Sequence, residues 1–305
     1  MSKVILAKRI AEVMERNARP MNIKEIASYF PSKPESTIRG RLYRELKESC
    51  QRVSRGVYTF LSNDGAAFVV EGDGRDLSPF DDHSIDAIVA DHPWYDPVSN
   101  SGRNRHFDSS YENTSFRYNT DDFREKARVL KPGGFLVEIL PAENENNYKY
   151  LYELKIMAEQ CGLLYYSKVP WKKGNYILNT GRKSKNTEDI LFFVKGKARS
   201  LRIDKQRGGK MSGTAYMLPT EFDFQTKPSK KRIHQAEKPI ELYEAILEAI
   251  TEPGEVVIEQ FSGSGNLGRA ALRKGRIAIL FEILKENVKK IRDNLGVPEL
   301  PLLLL

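Results

Sequence analysis

Apolar positions in the first sixty residues recur at helical spacing. Over residues 4–16, Val4, Ile5, Ala7, Ile10, Ala11, Val13 and Met14 are spaced as in an amphipathic helix. Asn22 is placed to cap a short helix over 23–30, Pro31 and Pro34 bracket a turn, and 36–48 predicts a third helix. The pattern then alternates over 51–60 and turns near Gly56, as a hairpin does. Beyond a short linker at 63–67, stripes give way to apolar runs. Residues 68–70, 87–90, 135–140, 163–168, 188–194, 255–258 and 276–281 predict buried strands. Helical stretches at 121–130, 148–161, 240–250, 267–274 and 285–294 separate or follow them, with a turn at 131–134. Strands alternating with helices predict an α/β protein with a doubly wound, largely parallel sheet. A small domain at 1–62 precedes this sheet domain at 68–295. Two stretches lack any period. Residues 96–120, rich in Asn, Ser, Arg and Tyr, are expected to form a mobile loop, and 196–232 is strongly basic.

Charge sharpens this division. The net charge of +8 is uneven: residues 1–62 carry +7, residues 195–232 carry +8, and the remainder is acidic at −7. Two basic segments on an acidic body suggest a polyanion held at two places; a solvated charged face is the plainer reading of either alone. Cys50 and Cys161 lie far apart without metal-ligand spacing, and neither a signal peptide nor a membrane-length apolar run is visible. A cytoplasmic protein with reduced thiols, no metal and no membrane contact is expected. The apolar tail at 301–305 is expected to cover a core edge or a subunit contact, which leaves a homodimer open.

Chemistry concentrates at two strand ends. The first run stops at Asp91-His92-Pro93-Trp94, since Pro93 cannot donate to a ladder. In an open α/β sheet, ligands sit outside the carboxyl ends of strands. A carboxylate, a proline and an indole there offer one acceptor and one flat apolar wall, suited to a planar amino-bearing ring. The plainer alternative is an Asx-type turn with Trp94 in the core. The second strand end reads Glu259-Gln260-Phe261-Ser262-Gly263-Ser264-Gly265, then a helix, a strand and the acid Glu282. That is a nucleotide-binding arrangement, with Glu282 placed for ribose hydroxyls. Gly268 falls where a dinucleotide fingerprint has its third glycine, so a nicotinamide-binding loop stays open. No Gly-Lys-Ser/Thr is present, which argues against a P-loop enzyme.

Together these residues resemble the S-adenosylmethionine-dependent amino-methyltransferases of DNA, which methylate exocyclic nitrogens. The family's Asp-Pro-Pro-aromatic signature corresponds to Asp91-His92-Pro93-Trp94, and its Phe-x-Gly-x-Gly loop to residues 261–265. Gly72-Asp73, Val129-Leu130-Lys131-Pro132-Gly133-Gly134, the strand after Asn186 and His234-Gln235-Ala236-Glu237-Lys238-Pro239 occupy further family positions. The catalytic signature precedes the glycine loop, which is the circularly permuted, beta-type order on a Rossmann-like sheet. Two departures stand out: His92 replaces the usual proline, and Glu259-Gln260 replaces Asp-Pro.

The resemblance implies a catalytic group of Asp91, His92 (through its carbonyl), Pro93 and Trp94, acting on adenine N6 of a base flipped from double-stranded DNA. It implies S-adenosylmethionine held by Asp73, Phe261, Ser262, Gly263, Gly265, Glu282, Lys238 and Pro239, with the last two near its methionine carboxylate. The His92 imidazole is expected to face the pocket or solvent, without a catalytic part. Residues 196–232 lie where the family keeps its target-recognition region. The three helices and hairpin of 1–62 resemble a winged helix-turn-helix domain, a likeness that brings Arg39, Arg41, Arg44 and Lys47 of the third helix and Arg55 of the wing to DNA. Arg103 and Arg105, in the loop beside the pocket, are expected to add to that contact. Cytosine N4 is the nearest rival target, and a DNA-binding regulator on an inactive methyltransferase fold is the alternative of another class.

Overall fold

A computed structural model describes residues 3–17, 20–46, 49–60, 65–93, 116–174, 186–203, 206, 208–227 and 236–297. The front unit contains α1 (Lys3–Asn17), β1 (Met21–Asn22), α2 (Ile23–Ser28), α3 (Glu35–Arg44), β2 (Cys50–Ser54) and β3 (Val57–Phe60). The Asn22 side chain accepts the Glu25 N–H and so starts α2. β3 lies between β1 and β2 in an antiparallel three-stranded sheet. Leu6, Ile10, Met14, Ile26, Ile38, Leu42 and Tyr58 close its core. The third helix ends four residues earlier than expected, at Arg44; Leu46 beyond it is buried.

The second unit follows as β4 (Ala66–Glu71), β5 (Ile85–Ala90), α4 (Thr120–Val129), β6 (Leu130–Pro141), α5 (Tyr148–Gln160), β7 (Leu163–Lys172) and β8 (Thr187–Lys195). The short strands β9 (Arg202–Ile203), β10 (Lys210–Met211) and β11 (Phe222–Asp223) come next. The chain then forms α6 (Ile240–Ile250), β12 (Val256–Glu259), α7 (Asn266–Lys274), β13 (Ile277–Glu282) and α8 (Lys285–Leu295). Eight strands form one sheet in the order β11-β7-β8-β6-β5-β12-β13-β4. All neighbours run parallel except β8, which opposes both β6 and β7. Alternate strand residues face opposite layers. Val70, Ile88, Leu136 and Ile258 pack with Phe123, Leu151 and Leu154 of α4 and α5. Val69, Val89, Val137 and Val257 pack with Leu242, Leu267 and Ile291 of α6, α7 and α8. This double layer explains why the strands read as long apolar runs.

Three expectations change. The turn at 131–134 is the opening of β6: Gly133 adopts φ +78°, and at Gly134 a Cβ would lie 2.7 Å from the Asp86 carbonyl oxygen, so only glycine lets the strand pass. β7 runs on to Lys172, because Val169 and Trp171 bury on alternate positions around Pro170. The basic segment 196–232 is partly built into the body. Leu201 and Phe222 are buried, β11 extends the sheet, and the Phe224 carbonyl accepts the Trp171 indole N–H at 2.8 Å. The two units also share a core: Val53 and Val57 of the hairpin pack in the cluster that holds Phe68 and Phe80, and Arg52 pairs with Asp81.

Candidate active site

Strand order reverses at β12. Its chain successor β13 lies on one side and β5 on the other, so their carboxyl ends open a crevice. Asp91 and the loop after Glu259 stand on either side of it. Gly263 (φ +48°) and Gly265 (φ +72°) turn that loop, and Gly265 leads straight into α7. A Cβ on Gly265 would approach Ile291 Cγ2 to 2.7 Å. Glu282, at the end of β13, accepts the Gly263 N–H with one oxygen and the Leu284 N–H with the other, both at 3.0 Å. The acid and the glycine loop, 19 residues apart, thus form one constellation.

Of the Glu259-Gln260 pair that departs from the family signature, Gln260 has visible structural work. Gln260 donates its side-chain N–H to the Gly74 carbonyl at 2.7 Å, strapping the loop after β4 to the loop after β12. Glu259 is buried; Tyr243 and Ser262 lie alongside, yet neither carboxyl oxygen has a hydrogen bond of good geometry. Burial, reinforced by Asp91 and Glu282, pushes its pKa well above the usual carboxylate range.

Asp91 meets a partner distant in sequence. Lys238 Nζ donates to Asp91 Oδ2 at 2.5 Å and lies 3.4 Å from Glu188 Oε2. Lys173 pairs with the other Glu188 oxygen. Burial raises the Asp91 pKa, with Lys238 pulling against it. Glu188 is held below its ordinary value, because Lys238 and Lys173 outweigh its burial. Burial also works against the Lys238 charge, but Asp91 and Glu188 overcome it and keep the ammonium protonated. Asn266, the first residue of α7, donates to the Glu237 carboxylate at 3.0 Å and the Lys238 carbonyl at 2.7 Å. The segment that presents Lys238 is therefore locked to the glycine loop.

His92 differs from expectation. Its imidazole faces neither the crevice nor solvent; it turns inward, 1% exposed, beneath the strand end. The neighbouring Pro93 carbonyl accepts the Phe116 N–H at 3.2 Å. Asp73 is exposed and accepts the Arg75 N–H in an Asx turn. Pro239 is the N-cap residue of α6. Of the expected DNA contacts, Arg39, Arg44 and Arg55 are exposed. Arg41 is partly buried and paired with Glu45, so α3 does not present its cations on one face. Trp94, Lys47, Arg103, Arg105 and the tail 301–305 lie outside the described residues.

Comparison with known proteins fits this geometry. A DNA methylase family, of the N6/N4 type, matches residues 85–293, which take in both strand ends and all of the ion-pair network. The chain belongs to that DNA methylase family. Among its curated relatives, the type II methyltransferase M.HpaI of Haemophilus parainfluenzae is 27% identical over 234 residues, 72% of this chain and 70% of that protein. M2.DpnII of Streptococcus pneumoniae is 29% identical over 237 residues, covering 72% and 85%. Among solved structures, the M1.HpyAVI–SAM complex superposes with a TM-score of 0.54 at 21% identity, over 76% of this chain and all of that one. The cytosine-N4-specific PvuII DNA methyltransferase gives 0.55 at 19% identity, over 76% and 88%. The protein is a DNA methyltransferase on the Rossmann-like sheet described above.

Sequence reasoning left several residues around the candidate site unremarked: Glu188, Lys173, Asn266 and, around His92, Lys126, Glu138, Tyr118 and Tyr150. One signal was present. Glu138 interrupts the apolar run Phe135-Leu136-Val137-Glu138-Ile139-Leu140, and a charge inside a buried strand demands a partner.

Proposed function

We propose that this methylase transfers the methyl group of S-adenosylmethionine to the exocyclic N6 of adenine at a specific site in duplex DNA. The observation that carries the reading is the position of Asp91: a largely buried carboxylate at the carboxyl end of β5, across the switch point from the glycine loop, with its charge balanced by Lys238. Aspartate rather than serine at this position favours adenine over cytosine.

The adenine amine is a poor nucleophile, because its lone pair is delocalised into the ring. Asp91 would accept one of its N–H groups and the carbonyl of residue 92 the other. Both bonds strengthen as positive charge grows on nitrogen, and they favour its pyramidal geometry. Trp94 would stack on the ring and fix its plane, so that positioning supplies much of the rate. Inside a duplex this geometry is out of reach, and the base has to swing out.

S-adenosylmethionine supplies the methyl group in activated, sulfonium-bound form. The residues present suit it. Phe261, Ser262, Gly263 and Gly265 would wrap its amino-acid part, Glu282 would take the ribose hydroxyls, and Asp73 would stand near its adenine. Lys238 and Pro239 would border the methionine end. The buried oxygens of Glu259, short of hydrogen bonds, are acceptors suited to its ammonium group.

Incubation with DNA and methyl-labelled cofactor, followed by nucleoside digestion, tests the reading. Label is expected in N6-methyldeoxyadenosine. Label in N4-methyldeoxycytidine would move the target to cytosine, and no label would leave a DNA-binding scaffold.

The front unit is assigned to DNA contact. Lys24, Arg39, Arg52 and Arg55 surround a concavity of about 520 Å³ with Tyr43 and Tyr58, and no acid is among its lining residues. Three helices and an antiparallel ribbon support the winged-helix reading. Replacing Arg39 and Arg55 together by Gln is expected to weaken DNA binding about tenfold across sequences, and to flatten the plot of log affinity against log salt by about 2. An unchanged slope would mean that these arginines meet no phosphate.

A further inference from the structure

Residue 92 is the position where proline gives way to histidine, and the imidazole has a built environment of its own. Its Nε2 lies 2.9 Å from the Tyr150 hydroxyl, which also accepts the Tyr118 N–H at 3.2 Å. The ring lies tilted by 43° against Tyr118, 4.2 Å between centroids, and borders Phe116 at 5.6 Å. Below it, Lys126 Nζ donates to Glu138 Oε1 at 2.5 Å and sits 3.6 Å over the Tyr118 ring, whose hydroxyl donates to Glu138 Oε2 at 3.3 Å. His92 Nδ1 is buried without a hydrogen bond, 3.9 Å from Glu138 Oε2. With the Tyr118 amide filling one side of the Tyr150 oxygen, its hydroxyl proton is free to point at Nε2. With the imidazole hydrogen then on Nδ1, that hydrogen faces the Glu138 carboxylate. Burial and the Lys126 charge hold the ring neutral.

A proline at 92 would fix its own φ by ring closure and bias Asp91 towards extended backbone. Histidine releases both restraints on the two groups proposed to grip the amine. We infer that the His92 side chain is a positioning residue, held by the Tyr150 hydroxyl and the Tyr118 ring so that the residue 92 carbonyl and Asp91 keep the direction a second proline would give them. The anchoring is continuous with the cofactor loop: Phe116, tied to the Pro93 carbonyl, lies 5.6 Å from the Phe261 ring. The inference rests on the proposed methyl transfer at Asp91.

A double-mutant cycle on the full-length chain tests it, with kcat and KM for DNA measured at saturating cofactor and cofactor affinity measured by calorimetry. Tyr150→Phe removes one oxygen and keeps the ring. It is expected to lower kcat about tenfold while KM and cofactor affinity hold. In a His92→Pro background, where ring closure takes over, Tyr150→Phe is expected to change kcat less than about twofold. An unchanged kcat in the single variant, or the same loss in both backgrounds, overturns the inference. If His92→Pro fails to bind cofactor, His92→Gln and His92→Leu replace it. The Gln amide reaches the Tyr150 hydroxyl, so Gln is expected to stay within about threefold of the unaltered chain and Leu to lose about tenfold; equal losses overturn the inference. No transfer by the unaltered chain removes the proposed function and this inference with it. Transfer with an additive cycle removes this inference alone.

Discussion

Asp91→Ala is expected to lower methyl transfer about a thousandfold while cofactor affinity stays where it was. The carboxylate is the one charged acceptor proposed to face the reacting amine, and removing a single preorganised partner of developing charge typically costs a factor of 10² to 10³. Cofactor binding should survive, because the glycine loop is held independently by Glu282, Gln260 and Asn266. Single-turnover transfer and calorimetry on the same preparation check the two halves; undiminished transfer would remove the proposed role. The pH profile follows from the same group. Asp91 carries the negative charge that stabilises the developing cation only when ionised, so activity is present above its pKa and lost as pH falls through it. Burial raises that pKa and Lys238 opposes the rise. Lys238→Met therefore moves the acid limb of the rate profile to higher pH, and a stationary limb would separate Lys238 from Asp91 in function.

The largest effect on stability is expected at Lys126. Its ammonium and the Glu138 carboxylate are fully buried and bonded to each other. Burial pushes the lysine pKa down and the glutamate pKa up, and mutual attraction opposes both shifts. Lys126→Met strands the carboxylate beneath His92 and should cost about 3–5 kcal/mol of unfolding free energy. Lys126→Met combined with Glu138→Leu should recover most of that loss, since two apolar groups need no partner. Urea titrations of the three proteins decide the matter; a double variant as unstable as the single would show that the pair itself, not the stranded charge, supplies the energy.

The sheet was legible because strands covered on both faces leave long apolar runs, and the helices because their stripes lie between those runs. The crevice was legible for the same reason: Asp91 follows one such run directly, and the loop with Gly263 follows another. What stayed hidden depends on contacts between residues far apart in the chain. Lys238 reaches Asp91 across 147 positions, and no local period records such a pairing. The inward turn of His92 depends on Tyr150, 58 residues later. The opening of β6 read as a turn because Pro132-Gly133-Gly134 is turn chemistry; here Gly134 serves close passage beside Asp86 and Gly133 beside Arg199.

The shared packing of Val53 and Val57 with Phe68 and Phe80 has a mechanical corollary. Through that contact the arginines of the front unit are packed against the domain that carries Asp91, the carboxylate proposed to act in catalysis. If both meet one DNA molecule, the unit acts as a ruler, and the interval between the gripped phosphates and the modified base is set by the protein rather than by linker length.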